Sequence, residues 1–141
     1  MSMQNYYAIK SQKDIDTFIE QSNGLHDGYV LSVQFHRSGI RRLDDGTLEF
    51  RPGDSELTIR IMITSIWDTV IELHFSDVIE WQVADSEWEI LGTSVSFFQS
   101  GLTVWTDGYT TDEATRRDGS YVVAGLMEYR FCEDHRQKTE S

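Results

Sequence analysis

The chain has one cysteine, Cys132, and one proline, Pro52, in 141 residues. A lone thiol excludes an internal disulfide framework, and such a chain suits a reducing compartment. No apolar run approaches the ~18 residues that a membrane-spanning helix requires. Met1 to Lys10 carry neither an apolar signal core nor a cluster of positive charge, so a cleaved export peptide is not expected. Basic residues are also scarce, with 12 Lys and Arg against 24 Asp and Glu and a formal net charge of -12. A phosphate backbone would be repelled by that field, which argues against nucleic-acid binding, and anionic membrane surfaces are disfavoured for the same reason. Two readings of the charge remain open: attraction of a basic protein, and solubility alone. Together these deficits predict a cytoplasmic domain.

What is present suffices for one core. Hydrophobic residues make up 39% and aromatics 12%, in a length typical of a single domain. Residues 1–132 are expected to form that domain, followed by a polar tail over 133–141. Ser11 and Asp14 have the form of a capping box, and Ile15, Phe18 and Ile19 share one helical face. Gly24 suits a left-handed helix stop. After it the period changes to two. Tyr29, Leu31, Val33 and Phe35 alternate with polar or weaker positions, as do Leu57, Ile59, Ile61 and Ile63. So do Ile71, Leu73 and Phe75, and then Ile79, Trp81 and Val83. This is the pattern of antiparallel strands with one packed face. Turn pairs at Asp45-Gly46, Arg51-Pro52-Gly53-Asp54, 65–68, 85–88 and 99–101 punctuate it. The strand near 120–131 is apolar at both parities and is expected to be central. Thr110 and Glu113 suit the cap of a short helical turn. The expected fold class is α+β, mostly β: an N-terminal helix over 12–22 packed on an antiparallel meander, either a half-open barrel or a sandwich.

Motifs for phosphate loops, dinucleotide folds and serine-nucleophile elbows are missing. His26, His36, His74 and His135 have no local ligand spacing, so no metal and no cofactor are expected. His26-Asp27-Gly28 either orients an imidazole beside a close approach or simply makes the turn into the first long strand. Cys132 is expected to be a small core residue in register with Val122 and Ala124. Glu87 and Glu89 flank Trp88, a pairing compatible with sugar cleavage if the carboxylates lie ~5–9 Å apart. In so acidic a chain neighbouring acids also arise by chance.

The order of helix, His26-Asp27-Gly28, strand, Leu57-x-Ile59-x-Ile61 and Ile71-x-Leu73-x-Phe75-x-x-Val78 resembles a loose group of small bacterial β-rich domains. Some of these look like immunity proteins that neutralise polymorphic toxins. The resemblance spans residues 11 to 84. It implies a non-enzymatic protein whose work is binding, and a basic, toxin-like protein as the partner.

If every connection reverses the chain, one end of the sheet collects Trp67, Asp68, Asp85, Glu87, Trp88, Asp107, Tyr109, Asp112 and Glu113. Acids among exposed aromatics suit a cationic protein partner, because charge steers encounter and aromatics supply affinity. Arg41, Arg42, Arg116 and Arg117 fall at the same end and could neutralise it. The alternative function is a small-ligand or carbohydrate-processing domain built on the same acids and aromatics.

Overall fold

A computed structural model describes residues 5–37, 40–50, 55–64, 69–83, 89–90 and 92–132, with Arg41 and Phe50 as backbone only. In chain order the elements are β1 (Tyr7–Ile9), α1 (Gln12–Ser22), β2 (Gly28–Arg37), β3 (Ile40–Arg42), β4 (Leu48–Phe50) and β5 (Ser55–Ile63). They continue with β6 (Thr69–Gln82), β7 (Ser94–Phe97), β8 (Thr103–Thr106), α2 (Glu113–Arg116) and β9 (Tyr121–Cys132). The fold is mostly β, with one 11-residue helix packed on an antiparallel sheet, as the change of period predicts. The sheet order is β2-β5-β6-β9-β8-β7, and β1 adds to β9 beyond β8. The sheet is not closed into a barrel: β2 and β7 end it, and a single bridge joins Gly28 to Ile90. β3 and β4 form a separate hairpin around the predicted turn, where the Gly46 N–H donates to the Leu43 carbonyl.

The ends of α1 follow local chemistry. The Ser11 hydroxyl accepts the Asp14 N–H at 3.2 Å, and the Asp14 carboxylate accepts the Lys10 N–H at 2.9 Å. These bonds satisfy donors that the first helical turn leaves open. Asn23, not the predicted Gly24, is the left-handed stop, with φ of 53°. Ile15 and Phe18 are buried against the sheet, and the Phe18 ring lies 4.9 Å from that of Tyr129.

Period two places Leu57, Ile59, Ile61 and Ile63 of β5 and Ile71, Leu73 and Phe75 of β6 in the core as expected. It fails where the strands bulge. β6 carries Asp77 at φ of 55° and an extra residue between Val78 and Glu80. Val78 therefore enters the core, and Ile79, expected inside, is 64% exposed. β9 changes phase opposite this bulge, with Val122 and Ala124 inside before it and Met127 and Tyr129 inside after it. Cys132 consequently lands on the outer face, where its thiol donates to Glu72 at 3.1 Å, and is not the core residue expected. A second bulge, between Val30 and Ser32, leaves Tyr29 and Leu31 exposed and packs Val30, Val33 and Phe35 on the core. A bulge inserts one residue against none, so every later side chain changes face.

β9 is central, as its double parity implies. It pairs with β6 along one edge and with β8 and β1 along the other. Its upper part is covered on both sides, because Val104, Tyr121 and Val123 make a second small cluster with Leu102.

Gly28 of the His26-Asp27-Gly28 triplet marks a close approach at the turn into β2. The chain enters β2 through positive φ at Asn23, Gly24, Leu25 and Asp27, and Gly28 then passes beneath the Leu25 carbonyl. A Cβ on Gly28 would stand 2.7 Å from that oxygen and 3.0 Å from Ile61 Cγ2. Gly28→Ala is expected to destabilise the fold by about 1–3 kcal/mol. A lower urea midpoint at an unchanged slope checks this.

Candidate functional site

The end of the sheet reached by Gln82 is organised by the connection from β8 to β9. Gln82 pairs with Tyr121, and its amide donates to the carbonyls of Arg117 and Gly119 at 3.0 and 2.9 Å. Residues 107–120 lie over the outer faces of β7 and β8 and are fixed there by hydroxyl groups. Ser96 Oγ meets Thr111 Oγ1 at 2.8 Å, Thr106 Oγ1 donates to the Thr110 carbonyl at 3.0 Å, and Ser94 Oγ donates to the Gly108 carbonyl. The short helix α2 starts at Asp112, whose N–H is accepted by Thr110 Oγ1 at 3.1 Å; Thr110 thus supports the cap from outside it. Arg116 is buried with its guanidinium 5.7 Å from both the Phe98 and Tyr121 rings, and it donates to the Thr111 carbonyl. The loop is anchored along its length.

Four of the nine predicted site residues fall on this loop, and they divide. Asp107 is turned inward: its Oδ1 accepts the Ser120 N–H at 3.0 Å, and burial raises its carboxyl above the ordinary value. It closes the base of the loop. Tyr109, Asp112 and Glu113 face outward, and Tyr109 is 80% exposed although its ring leans on Gly92. The predicted neutralisation by arginine is partial. Arg117 bonds Glu80 at 2.9 Å and stands 3.7 Å from Glu113. Arg116 is occupied beneath the surface. The Arg42 guanidinium donates to the Gly46 carbonyl within its own hairpin. Among the described residues the carboxylates of Asp112 and Asp118 make no hydrogen bond or ion pair.

Trp67, Asp68, Asp85, Glu87 and Trp88 lie outside the described residues. β6 is one strand of 14 residues that continues through Asp77. It begins at Thr69, at the end of the strand opposite Gln82.

The outer face of the sheet holds a polar cluster that periodicity alone does not reveal. Glu72, 7% exposed on β6, accepts from Arg130 at 3.2 Å, from Tyr6 at 3.2 Å and from Cys132, with Arg60 at 3.6 Å. Burial pushes its carboxyl up, but the thiol hydrogen bond and the Arg130 and Arg60 charges outweigh this and hold it below the ordinary range. Burial, reinforced by Glu72, pushes the Cys132 thiol up to about 11 and the Tyr6 phenol up to about 12. A thiol so shifted is protonated near neutrality and is a poor nucleophile. His74 lies beside the cluster, 3.4 Å from Glu56 and 3.3 Å from Glu128. His26 contacts Asp27 at 3.6 Å, and His36 is exposed on β2. His135 lies outside the described residues. Among those described, no group of three or more His, Cys, Asp or Glu side chains is placed to hold a metal, and no helix is long and apolar enough to cross a membrane.

No family model, curated protein or solved structure matches the chain.

Proposed function

We propose that this is a non-enzymatic protein-binding module of inhibitor or immunity type, working in the cytoplasm and holding a basic protein against the loop end of its sheet. One observation carries the reading: the loop over 107–120 is fixed by hydroxyl groups on its inner side while Tyr109, Asp112 and Glu113 point outward. A surface fixed before binding loses little conformational entropy on association. An exposed tyrosine on the same loop as exposed carboxylates supplies an anchor and a steering field for a cationic protein. We assign Asp85, Glu87 and Trp88, which follow Gln82 in the chain, to the same surface. The net charge of -12 favours the same class of partner and disfavours nucleic acid and anionic lipid.

The test starts from the immobilised full chain, which should retain a basic protein at low salt. Tyr109→Ala is expected to weaken that complex by about 2 kcal/mol, or roughly 30-fold, while Asp107→Asn leaves it unchanged. Equal losses from both substitutions, measured by calorimetry, would move the contact away from the outer side of the loop.

A further inference from the structure

Away from the loop end, α1, β1 and β9 enclose a cleft of about 390 Å³, within the range of small-ligand sites. We infer that this cleft is a binding site for a guanidinium group, such as that of an arginine side chain. The inference does not depend on the proposed function.

Charge comes first. Asp14 lines the cleft, and no lysine or arginine does. Its carboxyl is held below the ordinary range, chiefly by the Lys10 N–H and then by Ser11, so it is anionic at neutral pH. Lys13 acts on Asp14 from the exposed helix surface without lining the cleft. An anionic wall with no lining cation, on a chain of net charge -12, attracts cations and repels anions.

Shape comes next. Tyr7, 53% exposed, offers its ring to the cleft and packs with its centroid 5.6 Å from that of Tyr129, which is buried. Ring faces carry negative potential and hold flat cations well, guanidinium above all. The same strand already shows this preference, because Arg130 stacks 4.4 Å from the centroid of Tyr6, which also borders the cleft. The Tyr129 hydroxyl donates to Gln21 Oε1 at 2.8 Å, which fixes that ring against the helix. Thr17, on the same wall, adds a hydroxyl acceptor. A planar cation with several donors matches a carboxylate, a hydroxyl and ring faces better than a neutral or anionic group does.

The test is a titration of the full chain with N-acetyl-arginine amide, followed through the backbone amide NMR signals of Thr17, Gln21 and Tyr129. N-acetyl-citrulline amide, nearly isosteric and neutral, serves as the control. The arginine derivative should bind in the millimolar range or tighter, and the citrulline derivative at least tenfold more weakly. Asp14→Asn and Tyr7→Ala should each weaken arginine binding at least fivefold. Tyr7 is exposed, so that variant should stay folded even if loss of the Asp14 cap loosens α1. Ser11→Ala, which removes a cap hydroxyl but no cleft residue, should stay within twofold of the parent. Equal affinity for the two derivatives, shifts confined to other residues, or parental affinity in Tyr7→Ala would each overturn the inference. Free arginine run in parallel identifies the source: weaker binding than the blocked form points to a peptide side chain, and stronger binding to the free amino acid.

Discussion

Phe18→Ala is expected to destabilise the protein by about 3–5 kcal/mol, the usual range for emptying a fully buried aromatic site. Phe18 has no solvent exposure and is the largest side chain that α1 sends into the core, where it meets Tyr129. The helix has few other means of holding the sheet: Ile15 is buried beside it, Ile19 packs at the margin, and the Tyr129–Gln21 hydrogen bond lies at the far end. A helix of 11 residues is marginal in water without tertiary packing. The loss should therefore appear as detachment of α1 together with a fall in global stability. Since small domains hold only about 5–15 kcal/mol in total, the variant should be partly unfolded at physiological temperature. Chemical denaturation measures the loss, and hydrogen exchange over 12–22 shows whether the helix opens first. A loss below about 1 kcal/mol would mean that α1 is held by contacts other than its apolar face.

Removal of the Glu72 carboxylate is expected to have an effect of similar size from a different cause. Glu72→Ala leaves the guanidinium of Arg130, whose side chain is 16% exposed, without its counter-charge. Breaking a buried pair from one side costs about 3–5 kcal/mol. The pH dependence has a definite sign. The folded pKa lies below the ordinary value of 4.5, so the ionised carboxylate stabilises the fold fully above 4.5, and this contribution is lost as pH falls through the folded pKa. The stability difference between the parent and Glu72→Gln should thus be constant near neutrality and shrink below pH 4.5. Denaturation midpoints measured from pH 7 to pH 3 test it. A difference that grew with acidity would reverse the assigned shift.

Legibility of the fold from residues alone depended on local geometry. β5 and the first half of β6 are regular, so strict alternation there reports the core directly. The capping residues of α1 marked its start, and Asn23 took the stop one residue before Gly24 because its short amide side chain tolerates left-handed backbone. What alternation cannot signal is a bulge. Asp77, the extra residue before Glu80 and the irregularity after Val30 each reverse the phase. They therefore misplaced Ile79, Leu31 and Cys132. At the same place β6 continues as one strand through Asp77, so its two alternating runs belong to a single element. The Glu72 cluster was hidden for another reason: its members come from four separate segments, and only pairing of β6 with β9 and β5 brings them together. Asp107 and Tyr109 are two residues apart in one acidic loop, and their opposite orientations follow from the Ser120 N–H, which nothing in the local sequence announces.

The claim that the loop end binds a cationic protein is tested most directly by one comparison of affinities across salt concentration. Asp85, Glu87, Asp112 and Glu113 are changed together to lysine, and the dissociation constant for the retained basic protein is measured at low and high ionic strength. The parent should bind more weakly as salt rises, because exposed charges are screened over about 10 Å at 0.1 M. The variant should bind at least a hundredfold more weakly at low salt and lose the salt dependence or invert it. Unchanged affinity with an unchanged salt slope would contradict the account and exclude this end of the sheet as the binding face.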